Sequence, residues 1–164
     1  MSKREFEVFY LKVRTPCFRA LCVTVPNRDE AEELLAEAFS RAFQNWSEIR
    51  HHPSPSAWIV RTALNLHRDN WRKSVNARRH LVAVPDKYED QTSMVDPVLL
   101  RHMRNLPEQQ FLVVIHRVLL DLSTEQTAKA LGIAEGTVST HLKRGLANLR
   151  EVLETHKVME ALNE

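Results

Sequence analysis

The stretch from Leu122 to Leu149, LSTEQTAKALGIAEGTVSTHLKRGLANL, constrains the fold more than any other, because its short signals follow one another at the intervals of a single supersecondary unit. Ser123 with Gln126 three residues on predicts a capping box, in which hydroxyl and amide satisfy each other's orphan backbone donors. Ala128 and Leu131 carry the apolar side of the helix that follows, and Gly132 stands where a left-handed residue ends it at little cost. Ile133 and Ala134 form the turn. A second helix begins near Glu135, with Val138, Leu142, Leu146, Leu149 and Leu153 recurring every three or four residues. The unit reads as a helix-turn-helix.

At about 100° per residue, Thr137, Thr140, Lys143, Arg144 and Ala147 point away from that apolar stripe, Ser139 flanks them, and Gly136 lies at the start of the helix. This face carries no acidic residue. Short hydroxyls, two cations and a bare backbone suit a helix lying in a major groove, touching base edges and phosphates together. A solvated helix face has the same composition, but the cap, glycine and turn before it favour DNA. Ala134 stands where a serine cap would help, a loss of about 0.5–2 kcal/mol.

The 164 residues have room for one domain or two small ones, and 43% apolar content is enough for real cores. Three glycines and two tyrosines disfavour a β-rich fold, while the leucine, alanine, glutamate and arginine content suits helices. No apolar run approaches the roughly 18 residues of a membrane span, and Met1 to Tyr10 is charged rather than signal-like. The expected location is the cytoplasm, without membrane insertion. Cys17 and Cys22 match no zinc spacing and read as reduced thiols. His51 and His52 are adjacent and poorly placed to share a metal, so neither a metal nor a cofactor is expected.

The net charge of +2 averages segments of opposite sign. Residues 28–37 are acidic, 61–79 basic and 86–96 acidic again, which suits different partners for different parts as well as plain solvated faces.

Phe6, Val8, Phe9, Leu11, Val13, Phe18, Leu21 and Val23 read as mostly core, on one helix or two with Pro16 near a bend and Pro26-Asn27 ending the run. A long helix from Asp29 carries Leu35, Phe39, Ala42 and Trp46 on one side, widened by Ala31, Ala38 and Phe43. Glu30, Glu33, Glu37, Ser40 and Gln44 face outward. The helix dipole accounts for acids in the first turn, but Glu37 lies two turns in, and an acidic strip on a DNA-binding protein should face a basic protein surface. Residues 47–56, SEIRHHPSPS, read as a loop: a plain connector, or a semi-rigid rim for an extruded base.

The helix from Ala57 to about Ser74 has Ile59, Val60, Ala63 and Leu66 on one side and Trp58, Arg61, Asn65, Arg68, Asp69 and Arg72 on the other. The arginines suit phosphates, Asn65 a base edge, and Trp58 either an unpaired base or a place in the core. A salt-bridged surface helix with Asp69 and Lys73 paired is the competing reading. Residues 76–95 lose helical period and read as a flexible linker. Asp96-Pro97 opens a second domain as N-cap and first helical residue, and Leu106-Pro107 repeats the device before an apolar helix containing Phe111, Val114, Ile115 and Val118. That helix should pack behind the helix-turn-helix. The domain ends near Leu153, leaving 154–164 as a tail.

Both halves resemble one family. AEELLAEAFSRAF is similar to the core-binding helix of bacterial sigma factors, WIVRTALNLHRDNWRK to their promoter-melting helix, and LPEQQ with LSTEQTAKALGIAEGTVSTHLKR to their C-terminal DNA-binding region. Two domains joined by a linker are the pattern of the extracytoplasmic-function (ECF, group 4) sigma factors of the sigma-70 type. The resemblance implies that Glu33 and Glu37 dock on the clamp helices of the largest subunit of core RNA polymerase, with the flap of the second subunit as a further contact. It places minus-10 reading and melting on Trp58, Arg61, Asn65, Arg68 and Arg72, a flipped base at the 47–56 loop, and minus-35 contacts on Thr137, Ser139, Thr140, Lys143 and Arg144. An anti-sigma factor is implied as a partner too. Ala36 stands where the family usually has Gln and Glu33 where Asp is usual. Ala134, Ser139 and His141 also depart from the common residues, which bears on the particular minus-35 sequence.

The expected protein is thus all-α, with two small helical domains: 1–75 for polymerase binding and the minus-10 element, and 96–153 for minus-35. It is not an enzyme, since opening DNA by binding the exposed strand needs no nucleotide hydrolysis and no Walker-type loop is present. In the cell it would be nucleoid-associated when bound to polymerase. The competing function is a LuxR-like helix-turn-helix regulator that binds duplex operators without joining polymerase, but it leaves the acidic strip and the Trp58 face without a role. A recombinase would need a catalytic constellation that the sequence does not show.

Overall fold

The computed structural model describes residues 3–78 and 97–162. The chain divides into two compact units, Met1–Thr92 and Ser93–Glu164. Both are helical, and among the described residues there is no strand.

The first unit contains α1 (Lys3–Thr24), α2 (Arg28–Gln44), the short α3 (Trp46–Ile49) and α4 (Pro55–Arg78). Helix α2 packs on α4, and α1 packs on both. Leu21, Val23, Ile59 and Val60 fill the centre, and Ala31, Ala38, Ala42 and Ala63, all buried, keep the helix surfaces shallow where they meet. Pro16 lies inside a single continuous α1. Val8 and Leu11, expected in the core, are 64% and 70% exposed, because α1 buries only the side it turns to α2 and α4.

Asn27 does more than end a run. It is the N-cap of α2, its side-chain oxygen accepting from the Glu30 backbone N–H at 3.1 Å. Trp46 is not on α2, which stops at Gln44. Asn45 breaks the helix, and the indole packs instead among rings from α1, 5.2 Å from Phe6 and 4.8 Å from Phe9. Phe43, expected to widen the buried stripe, is 51% exposed.

The 47–56 segment is not a continuous loop. Residues 46–49 are helical, and α4 begins at Pro55, two residues before the expected start. Buried Ser54 caps it, its Oγ accepting from the Ala57 N–H at 3.3 Å, with Pro55 as the first helical residue. His52 Nδ1 in turn accepts from the Ser54 N–H at 3.0 Å. Residues 76–78, assigned to the linker, continue α4; 79–95 and the expected Asp96 cap lie outside the described residues.

The second unit contains α5 (Pro97–Arg104), α6 (Glu108–Val114), a π turn at Ile115–Leu119, α7 (Thr124–Leu131) and α8 (Glu135–Leu162). Pro97 is the first residue of α5, as expected. Pro107 is not the first residue of α6 but its cap, with extended ψ and no side-chain bond to offer. Helices α6, α7 and α5 pack on α8, with Val113, Ala128 and Val138 at the centre and Leu131, Ile133 and Leu142 around them. The capping box forms as read: Gln126 N–H donates to Ser123 Oγ at 3.0 Å and Ser123 N–H to Gln126 Oε1 at 2.9 Å. Gly132 is left-handed at φ 68°.

Gly145 is buried in α8, where a Cβ would lie 2.9 Å from Val114 Cγ2. Val118, expected behind the helix-turn-helix, is 54% exposed because the π turn rotates it outward. Leu146, read as part of the apolar stripe, is 39% exposed at its edge. Helix α8 runs to Leu162, so most of the segment read as a tail is helical.

Asp121, between the π turn and Ser123, has φ 51°, a conformation costly to an L side chain though less so for aspartate. Asp121→Gly is expected to stabilise the second unit by about 0.5–1 kcal/mol, read as a thermal midpoint a few degrees higher.

His116 is 6% exposed, with Nδ1 2.7 Å from the Leu112 carbonyl. Burial lowers its pKa from the ordinary 6.5, against the upward pull of that backbone bond. The unfolded chain therefore takes up the proton first as pH falls. The stability held by the neutral ring is fully present above pH 6.5 and is lost as pH falls from there through the lower folded value. Melting of the second unit followed from pH 8 to about 5 should show this decline, and His116→Gln should flatten it.

Candidate nucleic-acid interface

In the second unit, the cap, the left-handed glycine and the turn place α8 with Thr137, Ser139, Thr140, Lys143 and Arg144 all exposed. Ser139 Oγ donates to the Glu135 carbonyl at 3.1 Å and Thr140 Oγ1 to that of Gly136 at 2.9 Å. With their protons turned inward, both hydroxyls present lone pairs outward, matching amino donors such as adenine N6 or cytosine N4. Among the described residues neither Lys143 nor Arg144 is in an ion pair. His141 is half-buried, its Nδ1 enclosed without a partner, so it stands apart from this face.

In the first unit, α4 exposes Arg61, Asn65, Arg68 and Arg72, while Trp58 is half-buried between the two roles open to it. The Asp69–Lys73 pair of the competing surface-helix reading is not among the ion pairs of the described residues, and none of the three arginines is neutralised there. Guanidinium groups without an ion-pair partner among the described residues, set around an amide, have the chemistry to take phosphates and a base edge. Trp71, 62% exposed between Arg68 and Arg72 along the helix, was not anticipated; an exposed indole gives no periodicity signal.

On α2, Glu33 and Glu37 are both exposed, but they are not equivalent. Arg41 Nε lies 2.8 Å from Glu37 Oε1, whereas Glu33 has no such partner among the described residues. Glu30 turns toward α4, its Oε1 2.7 Å from His67 Nδ1. The structure thus separates three outward carboxylates of similar appearance in sequence into one without an ion-pair partner among the described residues, one paired along its helix and one tied to a neighbouring helix. No cluster of three or more His, Cys, Asp or Glu groups that could hold a metal occurs among the described residues. No helix there is long and apolar enough to cross a membrane.

A helical unit with an acidic face and a separate basic helix, joined in one chain to a helix-turn-helix unit, defines a protein that reads DNA in two places while offering a surface to another protein. Residues 12–77 match the sigma-70 region 2 family and residues 98–149 the sigma-70 region 4 family. An RNA polymerase sigma-E factor of Streptomyces antibioticus is 37% identical over 134 residues, covering 80% of this chain and 74% of that protein. The sigma-E factor of Streptomyces coelicolor is 31% identical over 157 residues, covering 91% and 86%. The ECF RNA polymerase sigma factor SigX of Bacillus subtilis is 26% identical over 163 residues, covering 91% and 84%. The fold is also that of the sigma factor RpoE from Bartonella quintana, solved in complex with the anti-sigma factor NepR, with TM-score 0.66, 20% identity, and coverage of 92% of this chain and 98% of that one. The chain belongs to the sigma-70 family of RNA polymerase sigma factors, in its ECF group. It is a transcription initiation factor, and the regulator reading is not favoured, since region 2 has no place in it.

Proposed function

We propose that the chain joins core RNA polymerase through the α2 face, with Glu33 as the main carboxylate and Glu37 acting once Arg41 releases it, and that it opens promoters with α4. Residues 1–75 would carry polymerase docking and the minus-10 element, and 96–153 the minus-35 element. The observation that carries this is the pairing of an exposed acid on α2 with a basic face on α4 whose arginines have no ion-pair partner among the described residues, in one small unit. Phosphate contacts by Arg61, Arg68 and Arg72 would hold the strand, and Asn65 would read a base. The work comes from binding energy for exposed bases, so the protein itself catalyses nothing. It would act in the cytoplasm, on the nucleoid when bound to polymerase. The complex of RpoE from Bartonella quintana with the anti-sigma factor NepR supports a similar negative regulator here.

Run-off transcription tests the reading: purified core polymerase, the full chain and promoter fragments selected with their mixture should give a discrete transcript absent with either component alone. No transcript and no core complex, with tight duplex binding by the chain alone, would sink it. Within the same assay Arg144→Ala should weaken minus-35 duplex binding by about 1–3 kcal/mol if it reads a base, or lower the slope of binding against salt if it touches phosphate. Binding and slope both unchanged would remove Arg144 from the interface.

A further inference from the structure

The contact between α2 and α4 that stands out from their apolar packing is polar: His67 Nδ1 lies 2.7 Å from Glu30 Oε1, thirty-seven positions apart in sequence. Both side chains are partly enclosed, at 25% and 37% exposure. Glu30 is held at its own end as well, since its backbone N–H donates to the Asn27 side chain that starts α2. His67 lies between Asn65 and Arg68, the residues of α4 that the proposed function assigns to bases and phosphates. Glu30 precedes Glu33 by one turn of α2. One hydrogen bond thus joins the first turn of the polymerase-docking helix to the middle of the promoter-opening helix.

Apolar burial drives two helices together but is non-directional, so it specifies their rotation less sharply than a hydrogen bond does. A directional bond between side chains on two helices fixes that rotation. Isolated i, i+4 pairs such as Arg41–Glu37 cannot do so, since both partners turn together.

We propose that His67 and Glu30 are positioning residues that set the rotation of α4 against α2, so that Asn65 and Arg68 face the strand to be opened when α2 is seated on polymerase. The inference rests on the proposed function of the α4 face. Neither residue touches DNA or polymerase in this role; each acts through the neighbouring side chains of its own helix.

The test uses holoenzyme assembled from core polymerase and the full chain, on a selected promoter fragment carrying 2-aminopurine in its melted segment. At saturating holoenzyme, His67→Ala is expected to slow opening about tenfold, with core affinity and the thermal midpoint of the free chain near wild type. Glu30→Ala should do the same, and the double variant should be no worse than either single one. His67→Asn, which keeps a donor where Nδ1 stands, should recover most of the rate. Unaltered opening by His67→Ala overturns the inference, as does a loss matched by equal loss of core affinity or stability, or failure of His67→Asn to recover. Asn65→Ala separates this from the reading beneath it. If Asn65→Ala opens DNA normally, the assignment of the α4 face fails; if it opens slowly while His67→Ala does not, only the positioning role fails.

Discussion

Ile59→Ala is expected to cost the first unit about 2–5 kcal/mol, a large part of the roughly 5–15 kcal/mol that holds a small domain together. Ile59 is completely buried where α4 meets α1 and α2, so deleting its outer carbons leaves a cavity with no exposed side through which neighbours can relax. Two measurements check this. Chemical denaturation should show the unfolding of the first unit at lower denaturant, and holoenzyme assembly should fall with it. Duplex binding through α8 should survive, because the second unit has its own core around Val113, Ala128 and Val138. Loss of duplex binding to the same extent would show that the two units do not fold independently.

Gly145→Val should strike the other half. The added Cβ would stand 2.9 Å from Val114 Cγ2, and Val114 is a stiff β-branched side chain only 2% exposed, with nowhere to move. The expected loss is about 1–3 kcal/mol from overpacking, with α8 displaced from α6 and minus-35 binding weakened. Gly145→Ala should be milder, since alanine returns up to about 1 kcal/mol of helix propensity. Gly136, around which nothing lies within 4 Å, is the control: alanine there gains the propensity without the clash. Thermal melting of the three variants should order Gly136→Ala above Gly145→Ala above Gly145→Val. A Gly145→Val protein as stable as the wild type would mean that α6 and α8 can part without penalty.

The parts of this molecule legible in its sequence are those governed by neighbours along the chain. The Ser123–Gln126 box, the left-handed Gly132 and the exposed row on α4 are local matters of hydrogen bonding and period, and they are where the sequence puts them. Pro55, like Pro97, is the first residue of its helix, and Ser54 before it supplies the cap, so the start of α4 is also a local signal. Val8, Leu11, Phe43 and Val118 were misplaced for another reason. Apolar character says that a residue can be buried, whereas only the number of helices available to cover it decides whether it is. Glu30 reads as an outward residue of its helix, and no periodicity within either helix could pair it with His67. The same holds for Gly145, whose necessity appears only when Val114 is brought beside it.

Helix α8 has a consequence that follows from its length. Its 28 residues make one unbroken rod, so its far end stands about 27 Å beyond Arg144 at 1.5 Å per residue. Anything that takes hold of that end works with leverage: a tilt of a few degrees about Arg144 sweeps the tip through about 2 Å, and under the proposed function a restraint at the tip would set the angle at which Thr140 and Arg144 meet DNA. The residues read as a tail are therefore a lever arm continuous with the exposed Thr140–Arg144 face, and under the proposed function they would be a handle from which its orientation could be steered.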